Sequence, residues 1–317
     1  MKKIIGILAA AATLTASVFA ADVSATVGVK SSLFKYDSAE TITLLGKLDN
    51  VEDLFKLEFS SDKAGAGIKY IGAATGEVKF KEFKVWFKPI DNLKLSFREN
   101  GLGLFGPTTG EKYLDGFAGG YGVEYVADAL TFNVTLQDDF VIKVKSLDAK
   151  INDLGAKVGY KADFGEIAVL AGAKASFKKF SAGAGYKGKF GDIEFIADAQ
   201  GVFDNTGAKM GITLNADVSA KGSADALSWA VAVPVQFVVD PSSVAVGAAA
   251  EAKYTIDTVS LKAYFVSLNL MKLSSDPKAK VGLDVEGKVG AASWKIAPSY
   301  ELAKKEFNVG FESKINF

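Results

Sequence analysis

The chain has 317 residues, 37 Lys plus Arg against 37 Asp plus Glu, and neither His nor Cys. Without those two types there is no disulfide framework, no imidazole or thiolate metal site, no Cys nucleophile and no Ser-His-Asp triad, so a catalytic role, a bound metal and a cofactor are not expected. A formal charge of zero leaves no basic footprint for a phosphate backbone, and nucleic acid is not an expected partner.

At the N-terminus, Met1-Lys2-Lys3 is positive, Ile4 to Ala12 is apolar, and Val18-Phe19-Ala20 forms a small-residue cleavage site. This three-part pattern predicts a secretory signal peptide over residues 1–20, with residues 21–317 as one unit without an internal boundary. A membrane-anchoring helix is the rival reading, diluted by Thr13, Thr15 and Ser17.

From there on, apolar and polar residues alternate, the mark of strands with one apolar face. Val23, Ala25, Val27 and Val29 oppose Ser24, Thr26 and Lys30. Ile193, Phe195, Ala197 and Ala199 oppose Glu194, Asp198 and Gln200, and Ile212, Leu214, Ala216 and Val218 oppose Thr213, Asn215 and Asp217. Val259 to Phe265 and Val281 to Val289 continue the pattern, which is clearest from Glu306 to Phe317. Short turns, such as Lys88 to Asn92, Ala127 to Ala129, Phe164 to Glu166, Phe190 to Asp192 and Ile256 to Thr258, take turns with longer polar segments. The longer set is Arg98 to Gly119, Lys145 to Asp153, Asp204 to Ala208, Val239 to Ser243 and Met271 to Lys278. That rhythm suits strands meandering between a tight-turn end and a loop end.

A soluble sandwich also alternates. The number of amphipathic strands, the length of segments such as Trp229 to Val239, and aromatics near strand ends instead predict an all-β, antiparallel, up-and-down transmembrane β-barrel. The aromatic set is Trp86, Phe87, Tyr121, Tyr125, Tyr160, Phe164, Tyr186, Phe190, Tyr254, Trp294 and Tyr300. The last strand, with Val309, Phe311, Ile315 and the terminal Phe317 in phase, resembles the C-terminal assembly signal of bacterial outer-membrane barrel proteins. The chain as a whole resembles a Gram-negative outer-membrane porin. That resemblance implies a place in the bacterial cell outer membrane among its lipid, insertion by the barrel assembly machinery and, in many porins, a homotrimer.

Both termini of such a barrel lie on the periplasmic side, so the strand number is even. Counting back from Phe317 gives about 18 strands, with 16 as the fallback. It places Phe140 to Lys145 at the end of a strand begun at Leu130, and Ala64 to Ala73 in an extracellular connection or extension. Arg98 to Gly119 then joins the fifth and sixth strands. In the porins it resembles, this loop folds into the lumen, which makes Arg98, Glu99, Glu111, Lys112 and Asp115 candidate constriction residues and Leu102, Leu104, Phe105 and Phe117 candidate wall contacts. An exposed surface loop is the equally weighted alternative.

Gly101-Leu102-Gly103-Leu104-Phe105-Gly106 matches the dinucleotide fingerprint in letters, but Pro107-Thr108-Thr109-Gly110 continues as loop where that fingerprint needs a helix. Asp138-Asp139 lacks the further oxygen ligands of a calcium loop. A barrel of this width encloses an aqueous channel. The expected function is passive diffusion of small hydrophilic solutes and ions, with weak ion selectivity because acids and bases both face inward: Lys143, Glu194, Asp198, Asp217, Lys262, Asp284, Glu286, Lys288, Glu306, Glu312 and Lys314. A substrate-specific channel and a structural or adhesive surface barrel are the alternatives.

Overall fold

A computed structural model describes residues 22–37, 42–44, 51–72, 78–97, 101–117, 120–143, 146–207 and 209–316. The expected signal segment 1–20, Arg98, Glu99 and Phe317 lie outside them. Twenty strand segments form one antiparallel sheet. They are β1 (Asp22–Tyr36), β2 (Ile42–Leu44), β3 (Val51–Ser60), β4 (Ala64–Gly72), β5 (Val78–Ile90), β6 (Leu93–Phe97) and β7 (Tyr121–Ala127). Then come β8 (Leu130–Lys143), β9 (Ser146–Ala162), β10 (Gly165–Lys174), β11 (Lys179–Phe190), β12 (Ile193–Asp204), β13 (Gly211–Ala224) and β14 (Leu227–Val238). The last are β15 (Ser243–Val246), β16 (Ala248–Ile256), β17 (Val259–Ser267), β18 (Lys280–Val289), β19 (Ala292–Glu301) and β20 (Glu306–Asn316).

Apart from the split segments β2 and β3, and β15 and β16, each strand pairs with its neighbours in sequence, and β1 pairs with β20 from Thr26 opposite Asn316 to Tyr36 opposite Phe307. The sheet therefore closes on itself as an up-and-down barrel, β1 against β20. Segments β2 and β3 run along one edge of β1, and β15 and β16 along one edge of β14 on either side of Gly247. Counting each such pair as one crossing gives eighteen among the described residues, with Asp22 and Asn316 at the same end. Several of the tight turns at that end open on a residue with positive φ: Asp128, Asp225, Asp257, Gly191 and Gly290. Gly takes that region freely, and Asp more readily than most side chains do.

The pattern of exposure separates a lipid-facing barrel from a two-layer sandwich. Val123, Tyr125, Phe132, Val134, Val169, Val218, Val233 and Leu283 are exposed, while Thr135, Asp198, Gln200, Asn215, Asp217, Ser219, Asp284 and Ser299 are buried. That is the reverse of a water-soluble protein. It is the order a barrel needs when its outer solvent is hydrocarbon and its interior is polar. Phe164 and Phe190 at the tight-turn end and Phe180 and Phe203 at the loop end are also exposed, forming the two aromatic rims.

Three sequence expectations are corrected. Ala64 to Ala73 is not a connection: Ala64–Gly72 is a full strand, paired with β3 and β5. The even count survives because Ile42–Leu44 and Val51–Ser60 together make a single crossing. Ser146 to Asp153 is not a loop either, since β9 begins at Ser146 and Asp153 pairs with Gln137 on β8. Its high content of Asp, Asn and Lys hides the strand. Finally, Trp86 is not part of an outer girdle. It shares an inward phase with Ser96, Gly122 and Thr135 across successive strands, and Lys94 Nζ stands 4.8 Å from its ring centroid.

Candidate functional site

The described part of the connection between β6 and β7, residues 101–117, turns into the barrel. Leu102 and Phe117 exchange backbone hydrogen bonds of 2.9 and 2.7 Å, tying the two stems together at an isolated bridge. Leu104 and Phe117 then form a buried apolar cluster with Ala168 and Leu170 on the inner face of β10, with Leu102 and Phe105 packed against it. The wall makes room by carrying almost no side chain there. A Cβ at Gly155 or Gly172 would run into the Phe117 ring, and one at Gly183 or Gly185 into Leu104 or Phe105.

Beyond the cluster the loop follows the wall strand by strand. Gly106 N–H donates to Asp198 Oδ2 on β12 at 2.6 Å, and Thr108 N–H donates to Ser219 Oγ on β13 at 3.0 Å. The Thr108 hydroxyl donates to Ala220 O at 3.2 Å, and that of Thr109 to Glu251 Oε2 on β16 at 2.9 Å. Gly110, at φ +77°, sits where any Cβ would overlap the Ala249 methyl group. On the way back Glu111 pairs with Lys278 Nζ at 3.1 Å, and the Tyr113 hydroxyl donates to Leu268 O. Asp115 N–H donates to Gln200 Oε1 at 2.7 Å, Gln200 Nε2 returns a bond to Asp115 O at 2.8 Å, and the Asp115 carboxylate pairs with Lys174 at 2.6 Å and Lys179 at 3.6 Å. The segment is thus a hairpin laid around the inner wall from β9 to β17.

Of the candidate constriction residues, Asp115 anchors the loop to the wall, Glu111 ties it to Lys278 in the connection between β17 and β18, and Lys112 is exposed, with its Nζ over the backbone at Gly106. Val309, Phe311 and Ile315 share one face of β20 opposite Pro298, Ile296 and Ala292 of β19. The wall partners Gln200, Ser219 and Glu251 were not singled out in the sequence. A signal for them was present: Gly155, Gly172, Gly183 and Gly185 fall in the inward phase of three consecutive strands, a bare surface on which something must pack.

Elsewhere the inward charges neutralise one another. Lys262 and Lys295 converge on Asp284 at 3.5 and 2.7 Å, Lys253 reaches Glu286 at 3.3 Å, and Lys187 and Lys221 flank Glu194 at 3.5 and 3.1 Å. Glu306 pairs with Lys35 and Glu312 with Lys314. Behind the loop stem, Lys94, Glu124, Asn133, Thr135 and Lys157 line a polar recess of about 240 Å³. Among the described residues no cluster of acids is arranged to hold a metal ion.

No protein-family model matches the chain, and no curated protein matches it in sequence. Solved structures do. OccK3 (OpdO) of Pseudomonas aeruginosa has a TM-score of 0.57 at 9% identity, covering 93% of this chain and 96% of that one. The outer membrane protein OpdK of the same organism has a TM-score of 0.56 at 11% identity, covering 93% and 99%. A variant of the Rh. blastica porin has a TM-score of 0.52 at 11% identity, covering 94% and 100%. Identities this low establish the fold, which is that of a porin-like outer-membrane β-barrel.

Proposed function

We propose that this protein is an outer-membrane porin through which small hydrophilic solutes and ions diffuse passively. The observation that carries the reading is the combination of a closed eighteen-crossing barrel, polar inside and apolar outside, with a loop folded into its lumen. A barrel of that strand number encloses more space than its own side chains fill. The chain's own residues bind nothing tightly in this mechanism. They hold a bore open, wet its wall, and screen passing ions with charges of both signs. Because those inward charges are largely paired, selectivity between anions and cations is weak. The same reading takes residues 1–20 as a cleaved signal peptide, Val309, Phe311, Ile315 and Phe317 as the signal read by the barrel assembly machinery, and a homotrimer in the lipid of the outer membrane as the working form.

Liposomes carrying the purified barrel should swell in small sugars and progressively less in larger ones, and planar bilayers should show channels with permeability ratios near unity. A strong preference for either ion sign rules out weak selectivity. An absence of both swelling and conductance removes the channel reading and leaves a structural or adhesive barrel. Saturable uptake of one solute, with the others excluded, would instead identify a substrate-specific channel.

A further inference from the structure

Four inward side chains stand in one row across the wall from β6 to β9: Lys94 opposite Glu124, Glu124 opposite Asn133, and Asn133 opposite Lys157. All four line the recess of about 240 Å³ behind the loop stem. The next row, Ser96, Gly122 and Thr135, completes its floor, and the missing side chain of Gly122 gives it depth. Gly101 and Gly103, flanking Leu102, border it without side chains of their own. The volume lies below the range of about 300–1,000 Å³ typical of drug-sized ligands and well above what one water needs, so it suits a solute of a few heavy atoms.

The row differs from the other inward charges in what it leaves unused. Glu194, Asp284, Glu286, Glu306 and Glu312 each have a lysine within ion-pair distance. Among the described residues, Glu124 and Asn133 make no ion pair or side-chain hydrogen bond, and Lys157 makes no ion pair. Lys157 instead holds its Nζ 5.1 Å from the ring centroid of Phe105, and Asp198, an acid whose charge it feels, accepts the Gly106 N–H. At the other end of the row Lys94 stands over Trp86. A carboxylate and an ammonium thus flank a carboxamide that can both donate and accept.

A free anion in this recess meets Glu124, and a free cation meets Lys94 and Lys157. A solute carrying both charges answers both. Glu124 and Lys157 are two strands apart, about 10 Å along the row, and a charged hydrogen bond takes up about 2.8 Å at either end. The solute's own ammonium and carboxylate then stand about 4 Å apart, the separation in a short amino acid such as β-alanine.

We propose that this recess is a binding site for a small zwitterion, with Glu124 taking the ammonium, Lys157 the carboxylate and Asn133 bridging the two. Its place on a solute route rests on the channel reading above, whereas binding itself does not depend on conduction.

The test is a ligand-detected NMR titration of the folded full-length barrel in detergent micelles, with β-alanine, propionate and propylammonium as probes of similar size. β-Alanine should bind saturably and about tenfold tighter than either single-charge probe, the gain that one added charged hydrogen bond brings. Glu124→Gln should bring β-alanine down to the level of propionate and hold propionate as well as before or better. Lys157→Gln should bring it down to the level of propylammonium and keep that probe bound. The retained probe shows that each variant still has its recess. Binding of β-alanine no tighter than that of propionate, equal binding after either substitution, or loss of every probe from both variants overturns the proposal. A barrel that binds β-alanine but conducts nothing upholds the site and removes the channel reading; conduction without such binding does the reverse.

Discussion

At the scale of single residues, the phase of a strand decides what a substitution costs. Val169 lies near the middle of β10 and is exposed on the outer wall, and its neighbour Leu170 points inward under the loop. A charge at Val169 faces hydrocarbon, and Val169→Arg should destabilise the barrel by about 2–4 kcal/mol in reversible denaturant unfolding from lipid vesicles. Asn133→Lys, on the inner face of β8 opposite Glu124 and lining the polar recess, places its charge in the lumen and should cost far less. Equal costs for the two would contradict the assignment of faces. Phase also explains why Trp86 looks like a girdle residue in sequence: its position near a strand end suits a girdle, and only the register with Ser96, Gly122 and Thr135 turns it inward. For the loop-bearing wall, Gly155 is the sensitive site, since the three atoms nearest a Cβ there all belong to Phe117. Gly155→Val drives a side chain into the Phe117 ring and should unseat the loop, raising trypsin cleavage at Lys112 while the barrel stays folded.

At the scale of elements, alternation made the strands legible where one face is plainly apolar, as from Ile193 to Asp204 or Glu306 to Asn316. It failed where composition masked it. β4 opens on Ala64, Gly65, Ala66 and Gly67, whose small side chains carry little hydrophobic signal, and the start of β9 reads as polar. Pairing to a neighbour, which sequence does not display, settles both. The connection from 268 to 279 was legible as a loop, but not its internal support. There the Asp276 carboxylate accepts from Ser267 Oγ at 2.6 Å and from the N–H groups of Leu268, Asn269 and Lys278 at 2.7, 2.9 and 2.9 Å. Burial alone would raise its pKa, yet these donors together outweigh burial and hold it below the ordinary aspartate value. A carboxylate with a lowered folded pKa contributes stability that is complete above the unfolded value, about 3.9, and is lost only as pH falls through the lower folded one. Hydrogen exchange at Leu268, Asn269 and Lys278 should therefore stay slow from neutral pH down past ordinary aspartate titration and quicken only below it. Asp276→Ala should quicken it at every pH, since bonds to a charged acceptor contribute about 1.5–3 kcal/mol each.

At the scale of the whole molecule, the closed sheet sets the maximum bore and the loop sets how much of it is used. The fold class and the position of the loop between the fifth and sixth crossings follow from alternation and parity. The direction in which the loop folds does not, because Leu102, Leu104, Phe105 and Phe117 suit an inner wall or a self-packed surface cluster equally well. What decides is the glycine-bare wall on β9 to β11, distant in sequence, together with acceptors on β12, β13 and β16. If the loop is the narrowest point, removing it should widen the channel without opening the barrel. The Leu102–Phe117 bridge already brings the stems within hydrogen-bonding distance, so replacing residues 103–116 by Asn-Gly makes a two-residue hairpin of the kind that joins paired strands with little strain. Leu170 and Ala168 then face the lumen, a local apolar patch that leaves the strand pairing around the barrel untouched. Liposomes with the shortened protein should swell in sugars that the full-length protein excludes, and single-channel conductance should rise. An unchanged size limit, with folding intact, would place the narrowest ring elsewhere, at the ion pairs of Asp284, Glu286 and Lys295 on the opposite wall.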